Sequence, residues 1–272
     1  MIKKSKAMKV YVGLLYFFLY APILVMIFLS FNSSKTATVF KGFSLKWYQE
    51  LFHDANSIEA LKNTIILAVL SSIIATIIGT AAAVGIFYYK KKWFKSTVMY
   101  VTNIPMINPD IVTGISLMLL FVFGGSLLGF KEKLGFFTLL IAHITFNIPY
   151  VILSVLPKLK QTDPHLIEAA EDLGCTPFVA FYKVMIPAIS SGIATGLAMA
   201  FTLSLDDFVI SYFTNGTFNT LPIRIYSMTK QRVTPDMYAL STLIFVTILI
   251  LLIIINILGD KNNNQKITED QQ

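Results

Sequence analysis

Apolar residues run through this chain in six long blocks separated by polar, mostly basic, connections. A helix that crosses ~30 Å of hydrocarbon needs about 20 apolar residues in succession. Val10 to Phe31, Ile65 to Tyr89, Leu134 to Pro157 and Met237 to Gly259 reach that length without a formal charge. Thr97 to Phe123 does so with Asp110 as its one charge, and Val184 to Phe213 with the adjacent Asp206 and Asp207. The blocks are continuously apolar rather than alternating in ten-residue segments, which argues against a strand barrel. The pattern predicts an all-α membrane protein with six transmembrane helices.

Composition narrows the class further. Apolar residues make up 55% of the 272 and charged residues 14%, with a mean hydropathy of +0.68. A soluble fold draws about a quarter of its residues from the charged set. Soluble enzyme, disordered chain and fibrous protein are excluded together. Cys175 is the only cysteine, so no intrachain disulfide forms, and no Cys/His cluster has zinc-ligand spacing.

The net charge of +7 sits in clusters that orient the chain and do not form a nucleic-acid footprint. Lys3, Lys4, Lys6 and Lys9 precede the first block, whose 22 apolar residues exceed a signal peptide's core. It reads as a retained first helix with a cytoplasmic N-terminus at 1–9. Six spans, together covering 10–259, then put the tail at 260–272 on the same side. Thirteen Lys and Arg fall inside, including Lys90, Lys91, Lys92, Lys95, Lys158, Lys160 and Lys183, against nine outside. The densest clusters share the inner face.

Two outer connections are long, 32–64 and 214–236. The first holds an amphipathic stretch from Phe43 to Phe52 whose Trp47 and Tyr48 suit a membrane interface. On the inside, Thr162-Asp163-Pro164 reads as a helix start, with Asp163 as cap and Pro164 in the first position. His165 to Leu173 is the predicted helix, with Leu166, Ile167, Ala169, Ala170 and Leu173 largely on one side, and Gly174 is its left-handed stop.

Carboxylates inside apolar blocks are costly and usually mark a substrate or ion path. Asp206 lies nineteen residues beyond Pro187 and Asp110 fifteen beyond Lys95. At 1.5 Å per residue these are about 28 and 22 Å, which places all three acids in the outer half of the membrane. Such fixed anions, with aromatics nearby, suit a flexible polyvalent cation. Asp110 follows Asn108-Pro109, so it reads equally as a cap on a restarted helix. His143 and Asn147, one turn apart, read as interhelical hydrogen-bonding groups rather than ligands.

The run Glu168-Ala169-Ala170, three residues, Gly174, nine residues, Val184-Met185-Ile186-Pro187 resembles the EAA loop of ABC importer permeases of the binding-protein-dependent type. Val184 and Ile186 depart conservatively from that family's Ile-x-Leu-Pro ending. The loop, 158–187, lies between the fourth and fifth spans on the inner side. The Trp47-Tyr48 segment, Ala200 to Phe208 with Ser204-Leu205-Asp206-Asp207, and Leu221 to Met228 resemble the permeases of spermidine/putrescine importers. The resemblance implies the type I ABC importer permease fold, with Glu168, Ala169, Ala170, Gly174 and Pro187 coupling to an ATPase. It also implies that Asp110, Ser204, Asp206 and Asp207, with Trp47 and Tyr48, line a polyamine path.

No Gly-x-x-x-x-Gly-Lys-Ser/Thr phosphate cradle is present. The chain is therefore not expected to hydrolyse ATP alone, and the resemblance implies ATP and Mg on two partner ATPase subunits. A second, homologous permease and an extracytoplasmic polyamine-binding protein complete the implied assembly in a bacterial inner membrane. Related permeases carry ferric iron, thiamine, sulfate or molybdate, which leaves another solute as an alternative. A secondary cation carrier with titrating acids is a second. An intramembrane aspartyl protease is disfavoured, because Leu205-Asp206-Asp207 lacks the Gly-x-Gly-Asp pattern of that chemistry.

Overall fold

The computed structural model describes residues 6–34, 39–130, 133–163, 165–231, 236–250 and 253, and these are helical with no β-strand pairing beyond one bridge, Asn32 to Phe43. Lys3, Lys4, Pro164 and the tail at 260–272, all used in the reading above, lie outside the described residues. Two compact units form, Met1–Glu59 with Arg224–Leu249, and Ala60–Ile223 with Ile250–Gln272.

The first unit begins with α1 (Lys6–Ser30), exposed along nearly its whole length as a lipid-facing helix would be. Asn32, fully buried, folds the next segment back onto its end. The Asn32 amide donates to the Val39 carbonyl at 2.8 Å, and its side-chain oxygen accepts the N–H groups of Ser34 and Lys41 at 3.1 and 3.0 Å. Phe31 stacks on Phe43 and Phe28 on Phe40. The amphipathic stretch forms α2 (Lys46–His53), which buries Trp47 and Leu51 and leaves Phe52 exposed.

Asp54 then opens α3 (Ala55–Tyr88), accepting from the Asn56 N–H at 3.2 Å, from the Ser57 hydroxyl, and from Arg224 at 3.1 Å. Burial pushes the Asp54 carboxyl up, but Ser57, the Arg224 guanidinium and the Asn56 N–H outweigh it and hold it below the usual carboxylate value. A depressed folded pKa stabilises above the unfolded value of about 3.9 and is lost as pH falls through the folded one. Asp54→Asn is therefore expected to speed hydrogen exchange at the start of α3 at pH 7 and to match the unsubstituted chain near pH 2. A difference of equal size at both pH values would refute this.

Four described helices are long and apolar enough to cross a membrane: Met8–Ser30, Ala55–Tyr88, Asp110–Leu127 and Phe136–Gln161. A fifth span is a pair bent by 67°, Pro177–Ala188 followed by Ser190–Asp206. The sixth predicted block begins as the apolar helix Asp236–Ile250, and its remainder falls largely outside the described residues. α3 starts ten residues before the predicted block, and its 34 residues rise about 51 Å. That exceeds the hydrocarbon thickness, so part of the expected outer loop is helix.

Two predicted spans are interrupted. Thr97 to Phe123 is split into α4 (Lys92–Ile107) and α5 (Asp110–Leu127). Pro109 carries no N–H and drives Asn108 out of the helical region, to ψ 134°. Val184 to Phe213 breaks twice, at Ile189 and at Asp207.

In the second unit α6 (Phe136–Gln161) is central. Val151, fully buried, is where its neighbours close in: a Cβ on Gly79 of α3 would stand 2.7 Å from it, and one on Gly196 would stand 3.3 Å from its Cα. In lipid, where no hydrophobic force joins helices, such small residues allow the close packing that does. After α6 come α7 (Leu166–Asp172), α8 (Pro177–Ala188, with a π-turn at Phe181–Met185), α9 (Ser190–Asp206), α10 (Val209–Thr214) and α11 (Leu221–Gln231).

Candidate functional site

The inner loop carries the short helix α7. Asp163 accepts from the His165 N–H at 2.9 Å, and the helix proper begins at Leu166. Its other end closes as anticipated: Gly174 has φ +88°, its N–H donates to the Glu171 carbonyl at 2.9 Å, and the Cys175 N–H to the Ala170 carbonyl at 3.0 Å. These two bonds form the paired closure that a left-handed residue after a helix makes possible.

The apolar residues of α7 do not share one side. Ala170 is buried and Ile167 packs on the core around Val155 and Leu159, whereas Ala169 is exposed and Leu173 is 87% exposed. At 100° per residue the outward stripe runs through Ala169 and Leu173, four apart. Phe178 and Tyr182 of α8 are exposed as well. Glu168 is exposed and pairs with His165 at 3.0 Å, which raises the imidazole above its ordinary pKa. Pro187 lies in the last turn of α8, just before the bend at Ile189.

The membrane acids part company. α9 ends at Asp206, which is exposed, and Asp207 leaves the helix with an extended backbone. The Asp207 side chain is 9% exposed and turned inward. It accepts the N–H groups of Ile210 and Ser211 at 3.3 and 2.7 Å, so it caps α10, and it lies 3.5 Å from His143 Nε2.

Ser204, also buried, is the hub of the same network. Asn147 Nδ2 donates to its hydroxyl at 2.7 Å, the Ser71 hydroxyl is at 2.8 Å and His143 Nδ1 at 3.2 Å, while His143 Nε2 meets Ser211 at 2.9 Å. His143 and Asn147 thus bond across helices, as their spacing suggested. Ser71 and Ser211 join them unannounced by sequence, because a serine in an apolar block looks the same whether it faces a neighbour or lipid.

Asp110 is the first residue of α5 and is exposed; the position before it is Pro109, which offers no side-chain cap, and Asn108 instead reaches Thr113 at 3.0 Å. Its negative charge in the first turn complements the helix dipole. Trp47 and Tyr48 belong to the first unit. Trp47 Nε1 donates to the Asn32 carbonyl at 2.6 Å, and the Tyr48 hydroxyl meets Ser30 Oγ at 2.7 Å with its ring beside Phe31. Both rings help hold the outer segment to α1. Among the described residues no group of three or more His, Cys, Asp or Glu has metal-site geometry.

Known proteins place this architecture. A family described as binding-protein-dependent transport system inner membrane component matches residues 75–264. The chain is 40% identical over 242 residues to the spermidine/putrescine transport system permease protein PotC of Escherichia coli (strain K12), covering 88% of each. It is 39% identical over 228 residues to the putrescine transport system permease protein PotI of the same strain, covering 84% of this chain and 81% of that one. In fold it is similar to a bacterial ABC transporter involved in the import of the acidic polysaccharide alginate, with a TM-score of 0.72 at 19% identity over 93% of this chain and 94% of that one. The MetNI methionine ABC transporter in an inward-facing conformation matches at 0.59 and 17% over 75% and 93%.

Proposed function

The chain belongs to the family of binding-protein-dependent transport system inner membrane components, and from that premise we propose that it forms, with a second permease, the translocation path of an ATP-driven polyamine importer. The observation that carries the substrate class is the 40% identity to a spermidine/putrescine permease across 88% of both chains. Two exposed carboxylates at helix breaks, Asp110 and Asp206, supply the fixed anions a polyvalent cation needs in passage.

The second unit's own geometry supports a coupling role. The outward stripe of Ala169 and Leu173, with Glu168 beside it, is the face offered to an ATPase subunit. Ile167 and Ala170 tie the same helix to the core, so a push on α7 is not absorbed locally. It passes through α8 and the bend at Ile189 into α9, whose 17 residues carry it about 25 Å to the break at Asp206. ATP and Mg reside on the ATPase subunits, an external binding protein selects the solute, and both termini face the cytoplasm with the Lys clusters.

The test is uptake by vesicles holding the full complex, loaded with ATP and offered labelled spermidine and putrescine. Accumulation that needs hydrolysable ATP supports the reading. ATP-driven accumulation of another solute without either polyamine would replace the substrate, and accumulation driven by an ion gradient alone would replace the class.

A further inference from the structure

A basic cavity of about 400 Å³ opens between α4 and α6. From α4 it is lined by Lys92, Lys95, Ser96, Met99, Tyr100 and Asn103. These positions follow one another by three, one, three, one and three, so they form a single stripe along one face of that helix. Leu156 and Lys160, one turn apart, line it from α6.

Three lysines and Ser96 share the lining with Met99 and the buried Leu156. No carboxylate lines the cavity. Lys95 is held in place: its Nζ donates to the Phe87 carbonyl at 3.1 Å and lies 5.7 Å from the Phe87 ring centre. One of its three N–H groups is thereby engaged, and the others remain to be shared with a ligand. Lys92 and Lys160 are exposed, and the exposed rings of Trp93 and Tyr100 on the same helix are of the kind found at headgroup level.

This chemistry refuses the cation that the proposed path would carry, because three lysines and no carboxylate line the cavity. It takes an anion that brings an apolar body with it. We propose that the cavity is a binding site for the phosphate headgroup of an anionic membrane phospholipid, with Lys92, Lys95 and Lys160 on the phosphate and Met99 and Leu156 along the start of the acyl region. Free phosphate offers the same oxygens but leaves the apolar stretch unfilled. Basic pockets between membrane helices commonly serve headgroups in this way, each Lys adding to the attraction. The site is independent of which solute the chain transports.

The full chain, purified in a neutral detergent and mixed with equal amounts of phosphatidylglycerol and phosphatidylcholine, tests this by native mass spectrometry. The expected result is a phosphatidylglycerol adduct favoured by at least about fivefold. The K92Q/K95Q/K160Q variant should fall to near-equal adducts while still carrying phosphatidylcholine, which shows it is folded and lipid-bound. K90Q/K91Q/K183Q, equal in charge lost but outside the cavity, should keep most of the preference. No preference in the unsubstituted chain, or equal loss in both variants, would overturn the site. Displacement of phosphatidylglycerol by millimolar inorganic phosphate would overturn the lipid as its occupant.

Discussion

Replacing Asp207 with alanine is expected to destabilise the folded chain by about 3 kcal/mol or more, while the same change at Asp206 is nearly silent in stability. The two residues are adjacent, equally acidic and both embedded in an apolar block. Yet Asp207 accepts two backbone N–H groups of α10 and faces His143, all away from water, and Asp206 is exposed. Removing the first strands two backbone donors in a dry place and leaves His143 with Ser204 and Ser211 alone. Removing the second strands nothing.

Asp207→Asn keeps one acceptor oxygen and should fall between. Asp206→Asn should fold normally and lower polyamine uptake, more for spermidine than for putrescine, because attraction scales with substrate charge. Thermal unfolding of the purified chain in detergent reads the first comparison and vesicle uptake the second. Equal unfolding temperatures for the two alanine variants would remove the structural role given to Asp207.

The second large effect is expected at Gly174. A Cβ there would meet nothing within 4 Å, so crowding plays no part and any cost is torsional. At φ +88° an ordinary L-residue loses about 1–2 kcal/mol and a β-branched one more, whereas asparagine tolerates the region best. The ratio of closed to open α7 should therefore fall by about five- to thirtyfold for alanine. ATP-driven uptake should decline in the order asparagine, alanine, valine, with each variant still inserted in the membrane. Unimpaired coupling in Gly174→Val would reduce the loop to a packing element.

Much of this protein is written in its linear pattern. The apolar blocks mark the membrane class because their length is matched to a bilayer, and no tertiary contact is needed to read a length. Gly174 is legible for a similar reason: a helix end followed by glycine, with small residues before it, is a local solution to a local shortage of hydrogen bonds. The family resemblance of the same loop adds its use as a lever.

What the sequence left open depends on which way a side chain turns. Leu173 and Ala169 look like core residues until the structure shows Ile167 and Ala170 taking the inward positions. Trp47 reads as an interfacial or path residue, and the sequence does not announce that its indole N–H donates to the Asn32 carbonyl, fifteen residues away. Ser204 and Asp207 read as lining a path and are engaged in a buried network with Ser71, His143, Asn147 and Ser211, drawn from three other helices. Polar groups in an apolar setting must be satisfied by whatever lies nearest in space, and chain order does not record that neighbour. The pattern of residues set the helices and the turn, and packing alone decided which of two adjacent aspartates is left exposed and which closes the fold.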